Sequence, residues 1–163
     1  MAIRLAAPDD AEAIRGLALD NGMFRDDEMH LFDEVLSGFF DGTMVDHSWI
    51  VREDEHGEIL GAAYYAPEPF SDRMWNVYFI AVRPGSGRSG IGGELITHVE
   101  SSLRGRGEGV ARTLIVETSS LPEYERSRSF YAIQGYAEAA RIPEFYGPGD
   151  DKVVFWKKIC GTP

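Results

Sequence analysis

The sequence predicts a mixed α/β domain, and three observations predict it. Short period-two segments and longer segments of helical period follow one another in the order β-α-α-β-β-β-α-β-α-β-β. Only one strand–helix–strand unit is present, residues 74–82, 90–104 and 113–117, and turn-linked antiparallel strand pairs flank it on both sides. The 163 residues hold no repeat, low-complexity tract or linker, so 1–163 reads as a single domain able to bury a sizeable core.

Each element has its own signal. Residues 3–6 form a short strand that Pro8 ends, and Asp9 or Asp10 is placed to cap a helix with Ile14, Leu17 and Ala18 on one face. Asn21-Gly22 breaks that helix. A second helix, residues 26–40, carries Met29, Phe32, Val35, Leu36 and Phe39 at helical spacing. Residues 47–52 and 58–65 read as strands joined through Asp54-Glu55-His56-Gly57. After Pro67 and Pro69 comes the strand 74–82, then a helix marked by Ile91, Leu95, Val99 and Leu103. Residues 113–118 form a strand and 123–134 a helix with Gly135 at its C-terminal cap; strands 136–142 and 152–159 close the domain.

Charge and cysteine usage narrow the function. Asp and Glu number 27 against 16 Lys and Arg, a formal net charge of −11. Fifteen acidic and four basic side chains fall in the first 60 residues, and the rest of the chain is balanced. A polyanion would meet a repulsive field, so nucleic acid is not an expected partner. The acidic half reads either as a solvated face or as an attractor for a cationic substrate. The one cysteine, Cys160, excludes an intramolecular disulfide and fits a reducing, cytoplasmic location. His30 and His47 have no ligand-spaced partners, so no metal is expected. Neither a secretory h-region nor an apolar run of bilayer length is present, so no membrane partner is expected.

The stretch Arg83-Pro84-Gly85-Ser86-Gly87-Arg88-Ser89-Gly90-Ile91-Gly92-Gly93-Glu94-Leu95 contains G-x-G-x-x-G between a strand and a helix. A Walker A loop is excluded, because Ile91-Gly92 stands where Lys-Ser/Thr is needed. Dinucleotide binding is disfavoured by the single β-α-β unit. The same physics serves another pyrophosphate: unpaired amides and the positive dipole end of the helix at Gly90-Ile91-Gly92. A tight strand-to-helix turn without a ligand remains the plain alternative.

Val82-Arg83-Pro84 followed by Gly90-Ile91-Gly92-Gly93-Glu94-Leu95 resembles the acetyl-CoA loop of the GNAT N-acetyltransferase superfamily, typically V-x-P-x-x-[Q/R]-x-x-G-[I/V/L]-G-x-x-L. Residues 75–82 resemble its fourth strand, and Phe130-Tyr131-Ala132-Ile133-Gln134-Gly135-Tyr136 is similar to its F-Y-x-x-x-G-[F/Y] segment. The resemblance covers nearly the whole chain. It implies a mostly antiparallel sheet of about seven strands with helices on both faces, and acetyl transfer from acetyl-CoA to an amine. Gly87 stands where the loop usually carries Gln or Arg, and Tyr124 where many members carry a cofactor-contacting Asn.

Amide formation from a thioester needs a neutral amine, oxyanion stabilisation and a proton for the thiolate. By the resemblance, Ile80, Ala81 and Val82 line the cofactor, with a backbone N–H near Val82 for the oxyanion. Gly87, Arg88, Ser89, Gly90, Ile91, Gly92 and Gly93 hold its pyrophosphate, and Tyr124 and Tyr131 border it. Tyr131 is the candidate acid. Asn76 falls at or near the position of the family's strand-four glutamate, so Glu117 is the candidate base, with an ordinary surface or ion-paired carboxylate as its alternative. Asp26, Glu28, Met29, Tyr146 and Asp150 are candidates for the acceptor side, Tyr146 as a wall and an acid to attract an ammonium. The expected acceptor is a small-molecule or peptide amine reached by direct transfer. A non-catalytic acyl-CoA-binding module and a dinucleotide-binding domain are the other functions, and monomer and homodimer are both left open.

Overall fold

The computed structural model describes residues 2–86 and 89–160. Its elements are β1 (Ala2–Leu5), α1 (Ala11–Asp20), α2 (Met29–Phe40), β2 (Ser48–Glu53), β3 (Ile59–Pro67), β4 (Met74–Val82), α3 (Ile91–Arg106), β5 (Thr113–Ser119), α4 (Glu125–Ile133), β6 (Ala137–Gly147) and β7 (Asp150–Lys158). The seven strands form one sheet in the order β1-β2-β3-β4-β5-β7-β6, with β4 and β5 parallel. This is the mixed α/β class and the element order that the sequence predicts. The chain divides into two compact units, Met1–Ala66 with Phe79–Val99, and Pro67–Tyr78 with Glu100–Pro163.

In the first unit, Ile14, Leu17 and Ala18 of α1 and Met29, Phe32 and Leu36 of α2 bury against Trp49, Ala62, Tyr64, Phe79 and Ala81. Phe32 meets the Trp49 and Phe79 rings edge-on at 5.3 and 5.4 Å, and Trp49 stacks on Tyr64 at 4.6 Å. Alternate residues of β3 face the other way, where Gly61 lies under Ile91 and Leu95 of α3. Residues 26–28, expected as helix, form a separate 3-10 turn instead. The Glu28 carboxylate accepts the Arg25 N–H at 3.0 Å and fixes the chain's entry into α2. Asp10 does the same before α1, accepting the Ala7 N–H at 2.7 Å while paired with Arg4 at 2.7 Å.

In the second unit, β5 pairs with β7 from Thr113↔Lys158 to Ser119↔Lys152, and β6 forms the sheet edge beyond β7. The sequence ends the sixth strand at Ile142, but the strand runs on to Gly147 through Pro143. An edge strand tolerates proline, and the pairing is irregular between Ile142 and Gly147, where Glu144 takes φ +53°. One buried carboxylate braces this unit. Glu100 accepts from the Tyr136 hydroxyl at 2.8 Å and from Lys157 Nζ at 2.9 and 3.1 Å. Among the described residues, no helix is long and apolar enough to cross a membrane.

Candidate active site

In the first unit, hydrogen bonds fix the exit of β4. The Val82 carbonyl accepts from the Asn21 side chain at 3.1 Å, and the Arg83 N–H donates to the Leu60 carbonyl at 2.8 Å. The Arg83 guanidinium donates to the Ile59 carbonyl at 2.8 Å, so this arginine ties the loop to β3. Ala81 is 5% exposed and packs in the core; Ile80 and Val82 are half-buried. Gly87 and Arg88 lie outside the described residues.

Beyond β4 the Ser86 N–H donates to the Arg83 carbonyl and the Ser89 N–H to the Ser86 carbonyl, to which the Ser89 hydroxyl also donates. Gly85 (φ +89°) and Gly90 (φ +81°) adopt the left-handed conformation that a side chain would strain. Glu94 N–H donates to the Gly90 carbonyl at 3.0 Å, the first full turn of α3. The amides of Ile91, Gly92 and Gly93 therefore have no carbonyl partner within the helix, and they point from its positive end. That donor set suits a phosphate group, and so fits the pyrophosphate of acetyl-CoA.

In the second unit, Val116 pairs with Phe155, and the Phe155 ring lies 5.7 Å from the Tyr131 ring of α4. Tyr131 thus belongs to one face of the sheet, and Glu117, the next residue along β5, turns to the other. Tyr131 is buried, and among the described residues its hydroxyl makes no hydrogen bond. Burial first, and Tyr146 second, push this phenol well above its ordinary range, so it stays protonated at neutral pH.

On the opposite face the Asn76 amide is 1% exposed and bridges two carboxylates. Its Nδ2 donates to Glu68 Oε2 at 3.0 Å and to Glu117 Oε1 at 3.2 Å, while its own oxygen is buried and has no partner among the described residues. The Tyr78 hydroxyl donates to the same Glu68 oxygen at 2.8 Å. Lys152 Nζ reaches Glu117 Oε2 at 2.9 Å and stands 3.6 Å over the Phe145 ring.

Tyr146 lies within electrostatic reach of both faces. Burial, then Glu117, Asp150 and Tyr124, push its phenol up to about 12. Tyr124 in the Pro122–Tyr124 turn is also raised, by burial and then by Glu123 and Asp150. Tyr131, Glu117, Tyr124, Tyr146 and Asp150 are therefore brought together in one unit. Asp150 accepts from the Ser119 hydroxyl, and Asp151 accepts the Glu144 N–H at 3.0 Å, which anchors the β6–β7 turn. In the other unit, Asp26 and Glu28 lie in the 3-10 turn, with Glu28 capping it, and Met29 is 3% exposed in the core.

Sequence reasoning missed Glu68, and it placed Phe145 and Lys152 in the acceptor-side segment 143–152 without giving either a role. Glu68 sits between two prolines with no periodicity around it, and only strand register brings Lys152 to Glu117.

A model described as the acetyltransferase (GNAT) family matches residues 15–136. Among solved structures, a Desulfovibrio desulfuricans protein assigned to that family shares 29% identity over 98% of this chain and 99% of its own, with a TM-score of 0.86. The Escherichia coli ribosomal-protein-S18-alanine N-acetyltransferase shares the fold at 18% identity, covering 99% and 96% of the two chains, with a TM-score of 0.76. An aminoglycoside 6'-N-acetyltransferase complexed with coenzyme A does so at 16% identity, covering 100% and 99%, with a TM-score of 0.77. No curated protein sequence matches the chain.

Proposed function

The chain belongs to the acetyltransferase (GNAT) family, and we propose that it transfers acetyl from acetyl-CoA directly to a primary amine of a small or peptidic, cationic acceptor. The reading takes the chain as one acetyltransferase domain, since the family match draws on residues of both compact units. The observation that carries it is Glu117. Its carboxylate, oriented by Asn76 on one oxygen, holds a primary alkylammonium on the other. An amine attacks only after losing its proton, and a carboxylate in that position receives it.

Acetyl-CoA supplies the acetyl group as a thioester. In this reading Gly90, Ile91, Gly92 and Gly93 offer backbone amides to its pyrophosphate, with Gly87, Arg88 and Ser89 completing the loop. Ile80, Ala81 and Val82 line the pantetheine arm and give a backbone N–H to the developing oxyanion. Tyr131, kept protonated by burial, gives its proton to the departing sulfur. Tyr124 borders the cofactor and Tyr146 the acceptor, while Asp26, Glu28 or Asp150 attracts the acceptor's charge. Transfer is direct in this reading, which gives the single cysteine, Cys160, no part in a covalent relay.

The test is thiol release from acetyl-CoA against a panel of diamines, aminoglycosides and peptide amines. Saturable release is expected with at least one cationic amine. Glu117→Gln should lower kcat about 100-fold while CoA still raises Tm as in wild type. Stabilisation by CoA with no thiol release across the panel would indicate a binding module. Wild-type turnover in Glu117→Gln would remove Glu117 as proton acceptor.

A further inference from the structure

The chain has three lysines against thirteen arginines, and all three lie on β7: Lys152, Lys157 and Lys158. Only Lys152 meets the proposed chemistry. Its Nζ lies 2.9 Å from Glu117 Oε2, with the Phe145 ring 3.6 Å away on another side. Carboxylate and aromatic face together form the recognition site of an alkylammonium, and the chain fills it with its own. The carboxylate is fixed in turn, because Asn76 holds its other oxygen and spends its second amide hydrogen on Glu68. That arrangement leaves the Asn76 oxygen buried and, among the described residues, without a partner, a cost accepted to keep two carboxylates in place.

We propose that Lys152 is itself an acetyl acceptor: β7 presents its amine to Glu117 where an external amine would stand, making Lys152 a self-acetylation site. The inference rests on the reading of Glu117 as proton acceptor.

The balance is that of the intermolecular reaction. Glu117 takes one proton from the Nζ ammonium and passes it to solvent. The freed lone pair attacks the thioester carbonyl carbon of acetyl-CoA; an N–C bond forms and the C–S bond breaks, its electrons leaving with sulfur. Tyr131 protonates the thiolate and is reprotonated from solvent, which takes up the second proton lost from nitrogen. The products are Nε-acetyl-Lys152 and free CoA. The modified side chain carries no charge, so its ion pair with Glu117 and its contact with the Phe145 ring as a cation are both lost. Glu117 and Glu68 are then left without Lys152's charge.

The other two lysines are internal controls. Lys157 is committed to Glu100 at 2.9 and 3.1 Å and to the Gln134 carbonyl at 2.9 Å, and its side chain is 25% exposed. Lys158 is exposed. The Lys152 side chain is 12% exposed, so a reagent acting from bulk solvent should label it last.

The whole protein is incubated with acetyl-CoA and no amine, and acetylation at each lysine is followed by peptide mass spectrometry. Acetyl should accumulate on Lys152 about tenfold faster than on Lys158, and Glu117→Gln should abolish that preference. Acetic anhydride, as the bulk reagent, should label Lys158 before Lys152 in both proteins. Labelling of Lys152 no faster than Lys158 by acetyl-CoA, in a preparation that acetylates an added amine, overturns this proposal and leaves the proposed function standing. Absence of both reactions overturns both. A preference for Lys152 that survives Glu117→Gln also overturns the proposal, because presentation to that carboxylate is its basis.

Discussion

Replacing Gly61 by alanine puts one methyl group beneath the start of α3. A Cβ built there lies 2.9 Å from Ile91 Cγ2, 3.0 Å from Leu95 Cδ1 and 3.2 Å from the Ala81 carbonyl oxygen. Ile91 is 4% exposed and Leu95 fully buried, so neither side chain has free space to swing into, and the third contact is backbone. Overpacking of this kind costs about 1–3 kcal/mol. Alanine's more restricted unfolded chain offsets about 0.5–1 kcal/mol of that. The net loss, centred on about 1 kcal/mol, lowers Tm by roughly 2–4 °C at this chain length. Because the displaced residue is the first of α3, the amides of Ile91 to Gly93 move with it. Thermal unfolding with and without CoA should therefore show both a lower Tm and a smaller CoA-induced rise. A Gly61→Ala protein with wild-type Tm and wild-type CoA response would refute the idea that β3 sets the position of the loop's donors. Gly90→Ala is the useful contrast. Among the described residues no atom lies within 4 Å of its Cβ, but φ of +81° makes any side chain strained there, by about 1–2 kcal/mol.

Two further outcomes follow from groups in each unit. Tyr131→Phe removes a hydroxyl with no hydrogen-bond partner among the described residues, so unfolding should be little changed. Turnover should nevertheless fall about tenfold or more at constant CoA affinity, and steady-state kinetics beside a CoA-dependent melt would separate the two effects. Asp10 is held below the ordinary carboxylate value of 3.8 by its bond to Arg4, against burial and with help from the Ala7 N–H. A depressed folded value stabilises above the unfolded value and is lost as pH falls through the folded one. Asp10→Asn should therefore cost about 1 kcal/mol at neutral pH, and urea unfolding should show the difference closing in acid below the ordinary carboxylate value.

The elements and the candidate site were legible to different degrees, for a physical reason. Strand β4 was read at its observed bounds, because apolar alternation and two preceding prolines are local signals. The glycine loop was legible too, since positive φ at Gly85 and Gly90 demands a residue type that the sequence displays. Strand β6 was cut short because Pro143 reads as a terminator, and only its place at the sheet edge makes proline harmless.

The acceptor-side chemistry was the least legible, because register assembles it. Asn76 lies opposite Ile115 across the parallel pair, which puts Glu117, two residues on, on the same face as the amide. Lys152 lies opposite Ser119 across the antiparallel pair, again two residues from Glu117 and again on that face. A slip of one residue in either pairing would turn the amide or the ammonium to the face that carries Tyr131. Glu117 would then be the ordinary solvent-facing carboxylate that is the plainer reading of the sequence alone. What makes it a candidate base is therefore not its identity or its neighbours in the chain. It is the coincidence of two registers, each fixed by the buried residues on the opposite face: Val77, Leu114, Val116, Val153 and Phe155. A substitution such as Val116→Thr, on the face turned away from the Glu117 carboxylate, would loosen the constraint that keeps an amide and an ammonium on one carboxylate.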